Sequence, residues 1–210
     1  MKKLRKFIYT LLIPVIRLDK RIRWQYYLKN TNKIKLVVGA GQTNFPGWFS
    51  TDKTTLDVTK EDHFKKYFKN KKICNVLAEH VLEHLTTDEI LMMTKNFYKY
   101  STDDVNIRIA VPDGFHIDSN YINIVKPGGT GAGADDHKHL FNYKSLSALF
   151  EAEGFFAHPL DFWDEFGNFT NNYSNDSNGF ISRSFINDDR NVGRKPVYTS
   201  LIIDFKKKHS

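Results

Sequence analysis

Cysteine is almost absent from this 210-residue chain. Cys74 stands alone, so no internal disulfide can form, and a reducing, cytoplasmic setting is expected. Proline is scarce, at six residues, and no Pro-, Gly- or Ser-rich linker divides the chain in two. No internal repeat is visible. The apolar run near the N-terminus, Phe7–Ile16 (FIYTLLIPVI), is ten residues long with Pro14 inside it. Spanning a bilayer needs about 20. The run also lacks the small-residue cleavage site of a signal peptide, and Arg17-Leu18-Asp19-Lys20-Arg21 follows it directly. Disorder is excluded over most of the length by an aromatic content of 14%, with 17 Phe and 10 Tyr.

Acidic charge is missing from one end only. Residues 1–35 hold eleven Lys/Arg and one acid, Asp19, for a net +10; residues 36–210 hold twenty bases and twenty-three acids, for a net −3. The overall +7 therefore describes a mildly acidic body behind a basic arm. An acidic body argues against a phosphate-tracking groove, so no nucleic-acid partner is expected. Residues 1–33 read as a basic amphipathic arm and 34–210 as one domain. Residues 1–30 suit an anionic membrane surface, with apolar side chains in the interface and Lys/Arg on the head groups. On that reading the protein sits peripherally on the inner face of the membrane; the alternative is an arm that packs on its own domain with its lysines solvated.

Past the arm, short apolar runs alternate with helical patterns, as in a three-layer α/β domain with a mostly parallel sheet. Ile34–Val38, Ile73–Ala78, Val105–Val111 and Tyr198–Phe205 read as buried strands, with Trp48–Asp52 and Thr55–Val58 as shorter candidates. Glu61–Phe68 and Tyr143–Glu153 read as helices. Thr86 and Glu89 have capping-box spacing and open a helix to about Tyr100. Residues 168–178 read as an Asn-rich loop.

Three constellations carry chemistry. Val38-Gly39-Ala40-Gly41 ends the first strand, where Gly39 and Gly41 let the backbone approach a ligand. Asp52, at the end of the next strand, is placed to accept two hydrogen bonds from a ribose diol, and Asp57 one from an adenine amine. Second, His80, Glu83 and His84 in AEHVLEHL match H-x-x-E-H, an inverted zinc-peptidase spacing. Its position right after a buried strand puts His80 in a turn, so a zinc hydrolase is a remote alternative and no metal site is assigned. Asp135-Asp136-His137-Lys138-His139 is where a third ligand would come from. Third, KPGGTGAGADDHKHLF combines four glycines with carboxylates and imidazoles, a density that favours a site over a connector.

In order, LVVGAGQTNFPGWFSTD, LDVT, AEHVLEHL, IRIAVPDG, KPGGTGAGADDHKHLFNYKSLSALFEAEGF and GFISRSFINDDRN with YTSLIIDFKK resemble a family of class I S-adenosylmethionine-dependent methyltransferases from bacterial surface-polysaccharide (capsule and lipopolysaccharide) gene clusters. The resemblance covers about Lys35 to Lys206. It implies a three-layer Rossmann-like fold, S-adenosyl-L-methionine as cofactor and a small or saccharide-type acceptor. By position, it implies that Gly39 and Gly41 cradle the methionine part, Asp52 the ribose and Asp57 the adenine. Glu79 and His80 line the methyl-delivery pocket, while His84 orients the turn. Asp113, His116, Asp136 and His137 face the acceptor. Only ten residues separate Gly41 from Asp52. A full crossover helix rarely fits in that, so the first crossover is expected to be shortened, its helix cut down or replaced by the Phe45-Pro46-Gly47-Trp48 turn.

Methyl transfer from a sulfonium is an in-line displacement in which positioning dominates. A hydroxyl acceptor also needs a base, for which His80 or His137 is the candidate. Arg183, with Arg190 and Arg194, is placed to grip an anionic acceptor bidentately. The competing reading is a non-catalytic methyltransferase-like module held at a membrane by its arm.

Overall fold

The structure, a computed structural model, describes residues 2–41 and 43–208, with the side chains of residues 2–12, 17 and 194 left aside. The apolar side chains of residues 7–12 and the Arg194 guanidinium thus lie outside the described residues. Helix α1 (Lys2–Asn30) precedes β1 (Ile34–Val38), β2 (Phe49–Ser50), α2 (Glu61–Phe68) and β3 (Ile73–Glu79). Next come α3 (Thr87–Tyr100), β4 (Ser101–Pro112), α4 (Ser119–Val125), α5 (Tyr143–Glu151), β5 (Phe155–Trp163), β6 (Phe169–Asn171) and β7 (Ser200–Lys207). The seven strands form one sheet in the order β2-β1-β3-β4-β7-β5-β6. β2, β1, β3 and β4 run parallel, while β7 is antiparallel to both β4 and β5, and β6 to β5. This is the Rossmann-like α/β arrangement expected, with a sheet that is mixed.

Strand patterning explains the layers. Leu36, Val38, Val76, Ala78, Ile107 and Ile109 point to one face, where α2, α3 and α5 supply Phe64, Phe68, Met93, Phe97, Leu146 and Phe150. Alternate positions Val37, Leu77, Ala110 and Ile202 point to the other face and meet Tyr173 and Ile181. That second face is covered by residues 172–199, mostly irregular chain with one 3₁₀ turn at Val192–Arg194.

Among the described residues the first crossover has no helix. Trp48 N–H donates to Phe45 O at 3.1 Å, closing a turn at Phe45-Pro46-Gly47-Trp48. The face left bare beside β1 and β2 is filled by the second half of α1. Trp24 is fully buried, its ring centroid 4.7 Å from Phe49 and 6.0 Å from Phe68. Leu28 is buried too, and Tyr27 Oη both accepts from Lys35 N–H and donates to Lys35 O. These residues of the arm belong to the main core. Thr55–Val58 is a turn segment rather than a strand: Asp52 Oδ1 accepts from Thr54 and Thr55 N–H, and Asp57 Oδ1 from Thr59 N–H, which curls the backbone. Thr86 and Glu89 form both bonds of the capping box.

Trp24→Ala should cost about 3–5 kcal/mol in urea unfolding, the range for truncating a fully buried Trp. A loss below about 1 kcal/mol, that of an ordinary surface position, would show that α1 is not part of the core.

Candidate active site

The parallel strands present their C-terminal ends along one edge, and the candidate residues collect there. After β1 the chain turns at Gly39 and Gly41, both at positive φ (+60° and +55°). A Cβ at Gly39 would come within 2.6 Å of Val81 Cγ2, so only glycine lets β1 end against the turn after β3.

On one side of Gly39 lies a cavity of about 140 Å³, lined by Val38, Leu56, Val58, Val81 and Leu85 with the acids Asp52 and Asp57. Asp57 is buried. Although burial raises its pKa, hydrogen bonds from Thr59 and the charge of Lys60 bring it below the usual carboxylate range. Asp52 is more committed: Oδ1 accepts from Thr54 and Thr55, and Oδ2 pairs with Lys20 Nζ of α1 at 2.5 Å. Burial raises its pKa as well, but the bonds from Lys20 and Thr54 outweigh that and hold it far below the usual range.

On the other side of Gly39 is a cavity of about 290 Å³, bordered by Ala40, Thr43, Glu79, His80 and Arg183. Glu79 ends β3 and accepts from the backbone N–H of Ser182 (3.2 Å) and Arg183 (2.7 Å), so it draws the irregular layer over the cavity. His80 sits at φ +54°, a left-handed conformation uncommon outside glycine, and its N–H still pairs with Ala110 O at 2.8 Å. Its Nε2 lies 3.0 Å from Ser200 Oγ and its Nδ1 3.0 Å from Glu83 Oε1.

His80 and Arg183 also line a third cavity of about 720 Å³, with Glu83, His84, Tyr121, His137, Arg190 and Tyr198. Its wall is the glycine-rich loop, which is a packed cap and no mere connector. Thr130 and Gly131 N–H donate to Asn123 O and Ile124 O at the end of α4. A Cβ at Gly129 would come within 2.6 Å of Ile124 O, which explains glycine there. Arg190 stacks on Tyr198 at 3.2 Å and pairs bidentately with Asp188, whereas the Arg183 guanidinium makes no ion pair among the described residues.

Three predicted acceptor residues lie elsewhere. Asp113 is fully buried behind Tyr121: its oxygens accept from Phe115 and Trp163 N–H, and its own N–H donates to Tyr121 Oη. His116 is buried in the same wall, stacked 4.0 Å from Tyr121, with burial pushing its pKa down. Asp136 is exposed at the rim, its Oδ2 3.5 Å from His84 Nδ1. The H-x-x-E-H segment does not form the α-helical face of a zinc peptidase. His80 follows the end of β3 in a bend, and Leu82–His84 is a single 3₁₀ turn. Tyr121, on α4, and Tyr198, just before β7, were not anticipated as cavity residues.

No family model matches the chain, and no curated protein matches it in sequence. Among solved structures it is similar to a SAM-dependent methyltransferase from Archaeoglobus fulgidus, with 15% identity and a TM-score of 0.46 over 91% of this chain and 94% of that one. It is similar to a SAM-dependent methyltransferase from Anabaena variabilis, with 7% identity and a TM-score of 0.44 over 89% and 72%. LepI in complex with SAH and a substrate analogue gives 10% identity and a TM-score of 0.44 over 89% of this chain, which spans only 39% of the LepI chain. Identities and scores of this size assign no chemistry to this chain.

Burial pushes the Asp113 pKa up to about 7, against the two backbone N–H groups that lower it. A carboxyl raised in the folded state favours folding below its unfolded pKa near ~4 and loses that advantage as pH rises through the folded value. Urea unfolding of the wild type and Asp113→Asn should therefore diverge with pH. The wild type should lose stability relative to the variant between about pH 4 and pH 7; parallel profiles would contradict the assignment.

Proposed function

We propose that the protein is an S-adenosylmethionine-dependent methyltransferase acting on a small, saccharide-type acceptor in cell-surface polysaccharide synthesis. The observation that carries this reading is the row of three adjoining cavities along the strand ends. An apolar chamber with two acids meets a polar chamber at Gly39, and that chamber shares His80 and Arg183 with a larger one. In-line transfer needs such a linear succession of cofactor and acceptor space.

The residues fit the cofactor. The Gly39 turn leaves room at the strand end, Asp57 would suit an adenine amine, and Glu79 and Ala40 would hold the amino-acid portion. Asp52 reaches a ribose only by sharing its Oδ2 with Lys20. When bound, S-adenosylmethionine supplies an electrophilic methyl on sulfonium sulfur. The protein's own part is alignment, water exclusion by residues 172–199 and the glycine-rich cap, and handling of the acceptor proton. His80, between the cofactor and acceptor cavities, is the base in this reading. Arg183 holds an anionic or hydroxyl-rich acceptor.

S-adenosylhomocysteine should stabilise the protein against heat, by about 2.7 kcal/mol at a hundredfold excess over Kd. Methyl-labelled S-adenosylmethionine with fractionated extract should mark a saccharide-type species. No thermal shift, with no label transferred, would sink the reading. His80→Asn preserves a residue that tolerates the left-handed backbone. It should slow single-turnover transfer by about 10²–10⁴-fold while leaving cofactor binding intact; an unchanged rate would remove His80 as the base.

A second proposal concerns the arm. Among the described residues, no helix is long and apolar enough to cross a membrane. Val15, Ile16, Leu18, Ile22 and Tyr26 of α1 are nonetheless exposed beside Arg21, Arg23 and Lys29. This combination suits an anionic membrane surface. Phosphatidylglycerol vesicles should pellet the protein, phosphatidylcholine vesicles should not, and Leu18→Asp with Ile22→Asp should abolish pelleting. Equal pelleting by both lipids, or none, would overturn the assignment.

A further inference from the structure

Glu83 is fully buried, and neither of its carboxylate oxygens accepts a hydrogen bond among the described residues. Its Oε1 is 3.0 Å from His80 Nδ1, but out of line for a bond. A buried carboxylate with no donor must take up a proton or a cation. The neighbours decide which. His84 carries a buried ring nitrogen, Nδ1, that likewise has no hydrogen-bond partner. His137 Nδ1 lies 2.6 Å from Val125 O, and because a carbonyl only accepts, Nδ1 carries the proton and Nε2 keeps its lone pair. The cluster is rich in acceptors and poor in donors. One proton on Glu83 would serve only one of them.

We propose that Glu83, His84 and His137 form a binding site for a divalent transition-metal cation in the floor of the 720 Å³ cavity. One ligand atom from each lies within 4.8 Å of the others. Two imidazoles and a carboxylate form a donor set typical of zinc and related cations, whose tetrahedral ligands stand about 3.4 Å apart. Closing the site needs side-chain rotations of roughly an ångström. The backbone already holds the parts together: Lys138 N–H donates to Glu83 O at 2.7 Å, pinning the loop of His137 onto the turn of Glu83 and His84. The bond from His137 Nδ1 to a carbonyl is the outer-sphere contact that orients a ligating imidazole. All three residues line the cavity, so the remaining coordination positions face it. There the cation would take an oxygen of the acceptor, hydroxyl or phosphate. That role rests on the methyltransferase reading; the site itself does not.

Equilibrium dialysis of the full-length, chelator-treated chain against Zn²⁺ should show one ion per chain. Glu83→Gln and His137→Ala should each weaken binding by more than about a hundredfold, above the loss seen for outer-sphere partners. His158→Ala, at an exposed position on β5, should change nothing. Far-UV circular dichroism checks folding. If Glu83→Gln does not fold, His137→Ala, on the loop, decides alone. No stoichiometric binding by the wild type, or equal binding by wild type and His137→Ala, overturns the site. Thermal stabilisation by S-adenosylhomocysteine, read on the same samples, separates the two hypotheses. Zinc binding without it removes the methyltransferase reading and leaves the metal site standing, and the converse removes only the metal site.

Discussion

The arrangement depends on one buried cation. Arg108 lies in the middle of β4, almost wholly out of solvent. Its Nε and Nη2 donate to Asp204 of β7, and Nη1 and Nη2 to Asp176. Nη1 also donates to Gly179 O, and the guanidinium lies 5.1 Å from the Tyr173 ring. Burial lowers its pKa, but Asp204 and Asp176 more than reverse that, so the charge is held. An isolated buried guanidinium would be prohibitive, whereas a forked one with two carboxylates offsets much of its desolvation. The consequence reaches beyond the two strands. Residues 172–199 have little secondary structure of their own, and Arg108 ties their start to the sheet. Further along, Ser182 and Arg183 dock on Glu79, and Arg190 and Tyr198 wall the 720 Å³ cavity. Removing the cation would free the layer that roofs the site.

That clamp was legible in part. A lone arginine inside VNIRIAV, a run otherwise suited to complete burial, requires a partner, yet sequence alone does not say which acids among twenty-four supply it. Local signals fared better where the chemistry is local. Thr86 and Glu89 sit three residues apart and bond as their spacing demands. The short stretch from Gly41 to Asp52 left no room for a full helix, and its described residues hold none. Thr55–Val58 misled because its apolar residues resemble a strand, while the flanking Asp52 and Asp57 curl the chain through side-chain bonds that hydrophobicity does not register. β5 went unread because FFAHPLDFW carries a proline and a histidine. Its Pro159 falls where the pairing with β7 shifts register, a position at which a missing N–H is tolerated.

The site shows the same division. Gly39, Glu79 and His80 lie at strand ends, whose location is a matter of topology, and Asp57 comes from the turn after β2; they line adjoining cavities that share Gly39. Asp113 and His116 also follow a strand end, but the chain turns inward after Pro112, and Tyr121 closes over both. His137 joins Glu83 and His84 from some fifty residues away through a backbone bond that no spacing rule encodes. Density of titratable groups in DDHKH thus marked the loop, but not which of its members faces the cavity.

The uneven charge of the chain takes a different meaning once α1 is seen to pack. Its second half packs on the domain. Trp24 and Leu28 fill the sheet face that a short crossover exposes, and this brings Lys20 onto Asp52. Asp52 is thereby kept ionised and oriented at the rim of the acid-lined chamber, with one oxygen given to the turn and the other to the arm. The missing crossover helix and the added N-terminal helix are thus two sides of one constraint. A first crossover too short for a helix leaves an apolar face and one oxygen of the rim carboxylate open, and α1 supplies partners for both. Packing fixes only one part of α1, since Val15, Ile16, Leu18 and Ile22 remain exposed. Apolar exposure on a basic helix is explained by neither the core nor the site, so the two halves of α1 answer to different requirements.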